Sequence, residues 1–486
     1  MMSDECEIMK SKDDGPVQHY SFAIHNSKRR AYPRYKPSGI EWLGEIPEHW
    51  SAAPVKRKYQ IQLGKMLQNK PETEEDILIP YIKALHVSWG IVKTLDLPEM
   101  WAKPADINTY GVAEGDLLVC EGGEAGRAGV VDYLPGPCII QNALHRVRSQ
   151  GADVMFLQYV LQTIGHSGWL DVLCNKATIA HFTREKLSDL PIPLPPLREQ
   201  RAIAAFLDRE MARIDGLIEK KQRQIELLQE KRSALINHAV TKGLDPNAKM
   251  KDSGIEWLGE IPEHWRIIPL KYSLVARVGA LKTGPFGSQL LSSEMMNGPI
   301  KVYNQRNVLD QDFTSGENFI SEGKYKELVS FTVFSQDILI TTRGTIGRCA
   351  VLPEGAERGI LHPCLMRIQA DRAIVTMEFL ATLIQDSGIV LLQLQLMSNA
   401  TTIDVIYSDS LKSVRLPLPP ISEQRAITAF LDRETTKIDT LIEKVETSID
   451  LLQEYRTALI AVAVTGKIDV RDVVFQKMRN MQHKTL

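Results

Sequence analysis

The sequence predicts an α+β protein in which two mixed α/β domains are separated by two long helices that pair as an antiparallel coiled coil. Three observations predict this fold. An internal repeat runs through most of the chain, two heptad-patterned segments follow matched proline pairs, and short β-branched runs with glycine and proline turns fill the regions between them. The chain is therefore interpreted as a tandem duplication with an internal pseudo-two-fold repeat.

Two constant blocks define the repeat. SGIEWLGEIPEHW occupies residues 38–50 and, without a change, residues 253–265. LPIPLPPLREQRAIAAFLDRE (190–210) is answered by RLPLPPISEQRAITAFLDRE (415–434). The offset between copies grows from 215 to 224 residues (253 − 38 and 423 − 199). The second variable region therefore carries roughly nine extra residues, which surface loops tolerate.

These blocks divide the chain into six segments. We expect a polar N-terminal arm at 1–36, a first mixed domain at 37–196, a central constant helix at 197–243, a linker and second mixed domain at 244–420, a distal constant helix at 421–470 and a C-terminal tail at 471–486. The arm carries a basic cluster at residues 28–30. That cluster suits either a mobile arm or a DNA-contacting tail.

The thirteen-residue block has the pattern of a packing motif around a turn. In its first copy the apolar positions are Trp42, Leu43, Ile46, Pro47 and Trp50, and the glutamates between them are expected in solvent. Because the block is unchanged in both copies, we expect each copy at the same junction of domain and helix. A surface shared by both copies would suit two identical partners.

The segments after the two proline pairs have helical periodicity. Apolar residues recur at a 3-4 spacing for about five heptads, which is typical of a coiled coil. An acid lies in the first turn of each helix, and Gly243 and Gly466 end the helices at nearly matched places. The predicted seam residues are Leu207, Ile214, Ile218, Ile225, Leu228 and Leu235 in the first helix and Leu431, Ile438, Ile442, Ile449, Leu452 and Leu459 in the second.

Two arginines in the seam indicate how the helices pair. Parallel pairing in register would stack Arg232 on Arg456, which places like charges in one layer. Antiparallel pairing moves each arginine towards the opposite end of its partner, near Thr435 or Met211. The sequence therefore favours antiparallel pairing.

The variable domains contain loops with the chemistry of DNA contacts. In the second domain these are KTGPFGS (282–288), YNQRN (303–307) and RGTIGR (343–348). Asparagine and glutamine can bind adenine through two hydrogen bonds, arginine can bind guanine, and glycine lets the backbone approach a phosphate. The first domain differs at the matching places, where it has Gly64-Lys65, KALH (83–86) and EGGEAGR (121–127). Each loop is also compatible with an ordinary hairpin turn.

Composition and the missing motifs bound the function. The net charge is −2, the six cysteines are scattered, and no apolar run is long enough to span a membrane. These features favour a reducing cytoplasm and make a disulfide framework or zinc ribbon implausible. We find no phosphate-binding glycine loop, metal-spaced His/Cys cluster or methyltransferase Asn-Pro-Pro-Tyr tetrapeptide. The Leu-Pro-Pro tripeptides at 194–196 and 418–420 are interpreted as rigid joints.

The duplicated frame resembles the specificity subunit of type I restriction-modification enzymes. The resemblance rests on SGIEWLGEIPEHW before each variable domain, PLPPL-x-EQ or PLPPI-x-EQ after it, the helix that begins EQRAI, and RGTIGR. It implies two target-recognition domains, each for one half of a split DNA target, on an antiparallel coiled coil that sets the spacer. It also implies a prokaryotic cytoplasmic, non-catalytic chain that docks two modification (methyltransferase) subunits and assembles with two restriction subunits. S-adenosylmethionine, ATP and Mg are expected on those partners, and no cofactor or metal is expected in this chain.

The loops and the resemblance together predict the DNA contacts, although not the target sequence. The candidate DNA-binding residues are Lys65, Lys83, His86, Arg127, Arg146, Lys176, Lys282, Phe286, Ser288, Asn304, Gln305, Asn307, Arg343, Thr345 and Arg348. Two rival hypotheses stay open. A stand-alone DNA-binding regulatory protein would lack a methyltransferase partner, and a complete enzyme would bind S-adenosylmethionine unaided.

Overall fold

The computed structural model describes residues 31–174, 181–286, 288–296, 298–398 and 405–471. The chain divides into two compact units. Unit 1 contains residues 1–221 and 446–486, and unit 2 contains residues 222–445. The predicted mixture of sheets and helices is confirmed in both units. Most of the predicted arm (1–30) and of the predicted tail (472–486) lies outside the described residues.

Unit 1 is built on two main sheets. Its strands are β1 (Tyr35–Pro37), β2 (Glu45–Pro47), β3 (Ser51–Pro54), β4 (Tyr59–Leu63), β5 (Ile77–Ile82), β6 (Val87–Ser88), β7 (Gly90–Val92), β8 (Glu99–Ala102), β9 (Leu117–Cys120), β10 (Ala128–Val130), β11 (Ile139–Ile140), β12 (Leu144–Ser149) and β13 (Pro191–Leu194). One sheet has the order β4-β12-β9-β10-β7-β6 and the other the order β11-β5-β8. Strands β4 and β9 both pair antiparallel with β12, so they run in the same direction.

Strand β9 shows how the sequence forms a two-sided sheet. Its four residues, LLVC, are all buried. Leu117 and Val119 join the main core of the unit, while Leu118 and Cys120 join a smaller core on the other face. Side chains alternate between the faces of a strand, so a continuous apolar run fits a strand that is covered on both sides. The helices are α1 (Asp106–Tyr110), α2 (Val154–His166), α3 (Trp169–Leu173), α4 (Arg184–Asp189) and the first part of α5 (Leu197–Lys242).

Unit 2 repeats this plan with two four-stranded main sheets. Its strands are β14 (Met250–Asp252), β15 (Glu260–Pro262), β16 (Arg266–Pro269), β17 (Leu281–Thr283), β18 (Ile300–Tyr303), β19 (Phe319–Ile320), β20 (Thr332–Val333), β21 (Ile338–Thr341), β22 (Cys349–Val351), β23 (Gly359–Leu361), β24 (Leu365–Ile368) and β25 (Arg415–Leu418). The main sheets have the orders β17-β24-β21-β22 and β19-β18-β23-β20. As in unit 1, two strands of one sheet, β17 and β21, both pair antiparallel with a third, β24.

The helices of unit 2 are α6 (Gln305–Leu309), α7 (Glu322–Glu327), α8 (Met377–Ala381), α9 (Ile389–Ser398), α10 (Ser408–Ser413) and part of α11 (Ile421–Val464). A π-helical turn, Thr382–Asp386, continues α8. Among the described residues no single helix is long and apolar enough to cross a membrane. The bent pair Met377–Asp386 and Ile389–Met397 reaches that length and apolar composition only when its two segments are taken together. Both segments of that pair contribute side chains to the core of unit 2.

The thirteen-residue block packs as the sequence predicts. In its first copy Trp42, Leu43, Ile46 and Trp50 are buried, and the glutamates between them are exposed. Each copy lies beside a two-stranded sheet that joins the start of its domain to the end, β13 with β3 in unit 1 and β25 with β16 in unit 2. The same block is therefore used twice to close a domain beside the start of a long helix.

A carboxylate in the first turn of each long helix binds this block. In unit 1 Glu199 accepts a hydrogen bond from Tyr32 and lies 2.8 Å from Nε2 of His49. In unit 2 Glu423 contacts His264 at 2.7 Å and accepts the indole N–H of Trp265 at 3.1 Å. An acid at a helix N-terminus is favoured by the helix dipole, so the helix stabilises the contact.

Tyr32 belongs to the folded frame and not to the predicted arm. It is buried against Trp50, with ring centroids 5.7 Å apart, and its phenol bonds to the start of α5. Burial and the neighbouring Glu199 carboxylate raise the pKa of Tyr32, so the phenol remains a donor. The sequence could not place this residue because its partners lie far along the chain.

The two long helices pack together within each unit. In unit 1 the buried side chains at the start of α5, such as Leu207 and Ile214, share a core with those at the end of α11, such as Leu459. Arg456 pairs there with Asp215 at 3.4 Å. In unit 2 Arg232 pairs with Asp439 at 3.0 Å. Each seam arginine therefore has an acid partner on the other helix.

Replacing glycine by alanine within α5, at Gly216, and directly after it, at Gly243, should have opposite effects on stability. Gly243 has φ +77°, and a Cβ there would lie 3.0 Å from a carboxylate oxygen of Glu423. Gly216 lies within α5, where a Cβ would meet open space. We expect Gly243→Ala to lower the free energy of unfolding by about 1 kcal/mol or more, and Gly216→Ala to raise it by about 0.5–1 kcal/mol.

Chemical denaturation of the full chain, followed by circular dichroism, measures both effects. The two variants differ from the parent by the same methyl group, so each controls for the other. Equal changes in both would contradict the assigned end of the helix.

Candidate nucleic-acid interface

Three strand ends meet at one edge of unit 2. The turn of residues 362–364 between β23 and β24, together with the first residue of β24, is bonded to all of them. The N–H of His362 donates to the carbonyl of Tyr303 at the end of β18, and the N–H of Thr342 after β21 donates to the carbonyl of Cys364. Gly284 after β17 donates to Leu365. The loops that follow these three strands therefore form one contiguous surface.

Unit 1 has the same arrangement around residues 141–144. Gln141 donates to Ile82 at the end of β5, Glu121 after β9 donates to Ala143, and Gly64 after β4 donates to Leu144. All of these are bonds between main-chain atoms. The scaffold of the edge therefore does not depend on which side chains the loops carry.

A glycine is required at the same point of each edge. A Cβ on Gly64 would lie 2.2 Å from the carbonyl oxygen of Gln141, and one on Gly284 would lie 2.1 Å from that of His362. Backbone atoms cannot move aside as a flexible side chain can, so neither position accepts a larger residue. These glycines let the strand ends approach the central turn closely.

In the turns after β5 and β18, the fourth residue accepts a hydrogen bond from the main-chain N–H of the first. In unit 1 the N–H of Lys83 donates to Nδ1 of His86 at 3.4 Å. In unit 2 the N–H of Asn304 donates to Oδ1 of Asn307 at 2.9 Å. His86 and Asn307, both candidate DNA contacts, thus have the same local role in fixing a turn.

Asn304 and Asn307 are committed to this turn. Oδ1 of Asn304 accepts the N–H groups of Arg306 and Asn307 at the start of α6. Asn307 is 3% exposed, and its amide nitrogen donates to two carbonyls, of Asp312 and Ser315. Asn307 is predicted to contact DNA, and in this structure its hydrogen-bonding groups are occupied inside the protein.

Arg146 is likewise a structural residue. It is 4% exposed in β12, and its guanidinium donates to the main-chain carbonyl of Gly111. Buried polar groups must find partners within the protein, and this arginine has found one. Its equivalent in β24, Arg367, is buried in the same way against the carbonyl of Thr332. Neither guanidinium is available to DNA in this structure.

The glycine loop of unit 1 is closed by internal contacts. Glu124 accepts the indole N–H of Trp89 at 2.7 Å and pairs with Arg127 at 2.9 Å. Arg127 also donates to the carbonyl of Ala84 at 3.0 Å, which ties the loop to the neighbouring turn. The charge of Arg127 is therefore largely balanced within the loop.

The matching loop of unit 2 is open. Arg343, Thr345 and Arg348 are all exposed on residues 342–348. Neither arginine side chain makes a hydrogen bond or ion pair to any of the described residues. The loop therefore carries two exposed guanidinium groups. It lies beside the turn of Asn304 and Gln305, because a Cβ on Gly344 would lie 3.5 Å from the side-chain amide of Gln305.

The remaining candidates lie around the same two edges. Lys65 follows Gly64 but pairs with Asp106 at 3.0 Å. Lys282 lies in β17 with its ammonium 4.6 Å from the ring centre of Phe331. Phe286 and Ser288 follow Gly284 and are exposed. Lys176 lies outside the described residues.

Sequence analysis missed three exposed residues on these edges. Met66 follows Lys65, Leu85 lies in the turn before His86, and Arg306 lies in the turn before Asn307. Their exposure depends on the conformation of the turns and has no signal in composition. Lys93 is a further exposed residue, because it directly follows β7 and its main-chain N–H bonds to the carbonyl of His86.

The described residues contain no group of three or more His, Cys, Asp or Glu that could hold a metal ion. Cys120, Cys138, Cys349 and Cys364 are free thiols. The exposed groups of these edges include hydrogen-bond donors, cations and apolar side chains, beside the acids Glu124 and Asp310 that pair with Arg127 and Arg306. Donors and cations of this kind suit a surface that binds a polyanion with bases.

The family model for the type I restriction modification DNA specificity domain matches residues 59–227 and 289–450, which is more than half of the chain. The specificity subunit of the type I restriction enzyme MjaVIII from Methanocaldococcus jannaschii is 24% identical over 437 residues, covering 88% of this chain and 95% of that protein. The specificity subunit of EcoBI from Escherichia coli is also 24% identical, over 74% of this chain and 75% of that protein.

Solved structures show the same fold. A chain from the type I R-M system, solved to explain complex assembly and conformational transition, matches with a TM-score of 0.63 at 16% identity, covering 87% of this chain and 99% of its own. The HsdS subunit from Thermoanaerobacter tengcongensis matches with a TM-score of 0.53 at 16% identity, covering 87% of this chain and 98% of its own.

His86→Asn should remove one source of acid sensitivity. Burial, followed by the charges of Lys83 and Lys93, lowers the pKa of His86 below its ordinary value of 6.5. The unfolded chain therefore binds this proton more readily, and stability falls as the pH drops below about 6.5. Asparagine keeps an acceptor for the Lys83 N–H, as Asn307 does in unit 2, but does not titrate.

The measurement is unfolding between pH 7 and pH 5, with the imidazole of His86 titrated by NMR. The loss of stability towards pH 5 should be smaller in His86→Asn than in the parent. His86→Ala is the control. It loses the acceptor for the Lys83 N–H, so its free energy of unfolding should be lower by about 1 kcal/mol at pH 7 as well. A His86 titration above pH 6.5 would show that the assigned environment is wrong.

Proposed function

Because the chain belongs to the type I restriction modification DNA specificity family, we propose that it is the subunit that selects the DNA target of a type I restriction-modification complex. In this proposal the recognition domain of unit 1 binds one half of a two-part site in double-stranded DNA and that of unit 2 binds the other half. One observation carries it. The same main-chain scaffold occurs at both edges, while the exposed side chains on that scaffold differ.

The exposed candidates form the proposed DNA surface. In unit 2 these are Arg343, Thr345, Arg348, Phe286 and Ser288, together with Gln305 beside them. In unit 1, Lys65, Lys83, His86 and Arg127 lie around the matching edge. Two of these cations are paired with acids, Lys65 with Asp106 and Arg127 with Glu124. Contacts to phosphate position a protein on DNA, and contacts to base edges select the sequence. We assign the lysines mainly to the first task and Arg343 to the second.

We assign the segments accordingly. Residues 37–196 and 244–420 supply the recognition domains, and the helices of 197–243 and 421–470 supply the rod between them. The helices are proposed to pair antiparallel. Support comes from the ion pairs Asp215–Arg456 and Arg232–Asp439, each of which joins a residue in the first half of one helix to one in the second half of the other. The two pairs are related by the 224-residue offset of the repeat.

We propose that catalysis resides on partners. Two modification (methyltransferase) subunits, with S-adenosylmethionine, would bind the frame that the thirteen-residue block provides twice. Two restriction subunits, with ATP and Mg, would complete a cytoplasmic complex. The exposed glutamates of both copies of the block offer these partners the same charged face.

The complex of this chain with its modification subunits should methylate adenines at a two-part site with a fixed spacer. Mapping methylated adenines in DNA modified by that complex tests the proposal directly. Co-purification separates it from the rival of a stand-alone regulator. A chain that binds DNA but recruits no methyltransferase would favour the rival.

Arg343→Ala should weaken selection at one half-site only. Its guanidinium is exposed on the loop after β21, so its loss removes a contact from unit 2 and leaves unit 1 intact. We expect a loss of about 5- to 100-fold in modification of DNA with the correct half-site, the range of one good contact. Competition between duplexes that vary one half at a time provides the measurement.

Lys326→Ala is the matched control for this loss of charge. Lys326 is exposed on α7, the helix that follows β19. The end of β19 pairs with Ile300 at the start of β18, whereas the proposed DNA surface lies at the end of β18, so α7 is at the opposite edge. We expect its affinity to be unchanged. Equal losses in both variants would mean that net charge alone determines binding.

Insertion of one heptad into both long helices should lengthen the spacer. Seven residues add about 10 Å to a helix and keep the seam in phase. That distance corresponds to about three base pairs at 3.4 Å each. Mapping the modified sites of the insertion variant gives the spacer directly, and an unchanged spacer would refute the role of the helices as a ruler.

A further inference from the structure

The turns that follow β5 and β18 each present one outward side chain. Among residues 83–86 the exposed residue is Leu85, at 77%. Among residues 304–307 it is Arg306, whose side chain is 87% exposed. Both directly precede the residue that holds the turn, His86 in one unit and Asn307 in the other. Leu85 and Arg306 therefore occupy equivalent positions.

Both positions adjoin the glycine loop of their own edge. In unit 1 Arg127 donates to the carbonyl of Ala84, the residue before Leu85. In unit 2 a Cβ on Gly344 would lie 3.5 Å from the amide of Gln305, the residue before Arg306. Each position is thus continuous with the surface that we assign to DNA.

The two side chains differ in what they can recognise. Leucine can make only apolar contacts, and the apolar group in the major groove is the C5-methyl of thymine. Arginine can donate two parallel hydrogen bonds to O6 and N7 of guanine. Nε of Arg306 donates to Asp310 at 3.1 Å, and this bond leaves both terminal NH2 groups of the guanidinium available to a base. An exposed ion pair of this kind is weak, so the arginine side chain can still bind a base.

The contrast between the units argues against a phosphate contact. A phosphate-anchoring position of a shared scaffold needs a donor or a cation in both copies, and Leu85 provides neither. A base-reading position needs the opposite, a constant backbone with a variable side chain, and this pair meets that requirement.

We propose, on the basis of the function proposed above, that Leu85 and Arg306 are equivalent base-reading positions. Leu85 recognises a thymine methyl group in one half-site, and Arg306 recognises guanine in the other. The same turn thus presents a different reading group to each half of the target.

Substitutions at the pair test the assignment in the complex of the full chain with its modification subunits. The substrate is a pool of duplexes in which each half-site is varied one position at a time. Leu85→Arg should change one position of one half from thymine to guanine, by at least about tenfold in preference. Arg306→Leu should lose a guanine preference of similar size at one position of the other half.

Conservative variants serve as controls. Leu85→Met keeps a large apolar side chain and should keep the thymine preference. Arg306→Lys keeps the charge but loses the two-pronged fork, so it should lose most of the guanine preference and little of the salt dependence. Thermal unfolding of each variant identifies any that fail to fold.

Two results would overturn the inference. One is an Arg306→Leu variant that binds every sequence more weakly to the same degree, with the salt dependence reduced by about one phosphate contact. The other is a set of folded variants in which neither half-site changes. A parent complex that modifies no two-part site would instead refute the proposed function, so the two failures are distinguishable.

Discussion

The carboxylate at the start of each long helix connects parts of the protein that are far apart in the sequence. Glu199 meets the phenol of Tyr32 and the imidazole of His49, and Glu423 meets His264 and the indole of Trp265. The acid is stabilised by the dipole of its own helix, and all of these partners except Tyr32 belong to the constant block that closes the domain. The direction in which each domain leaves its helix depends on this contact. It explains why the block is kept unchanged in both copies.

Away from that junction the chain is free to vary, because the binding edges are held by main-chain hydrogen bonds. The turns of residues 141–144 and 362–364 bond the strand ends through N–H and carbonyl groups that every residue except proline provides in full. Only at a few positions is the residue type fixed, such as the glycines at 64 and 284. A closed loop with Arg127 in one unit and an open loop with Arg343 in the other can therefore form on one scaffold.

Sequence periodicity was sufficient for the repeat, the helices and the apolar positions of the constant block, since these signals are local. It was not sufficient for the individual site residues. Arg146 and Asn307 have the composition of DNA contacts, but the strand and turn that carry them direct them inwards, where they bond to carbonyls. Leu85 and Arg306 were missed for the opposite reason. Leucine gives no signal of exposure, and arginine is exposed at most positions, so neither type marks these places; they follow from the conformation of a turn held by the next residue.

The ion pairs of the long helices have a consequence for inheritance. Asp215 and Arg232 come from the first repeat, and their partners Arg456 and Asp439 come from the second. A chain assembled by recombination, with its repeats taken from two ancestors, keeps both pairs only if each ancestor carried the same aspartate and arginine in its helix. Domains between the constant blocks escape this requirement. Evolution can therefore exchange recognition domains like cassettes, while it must change the helices together.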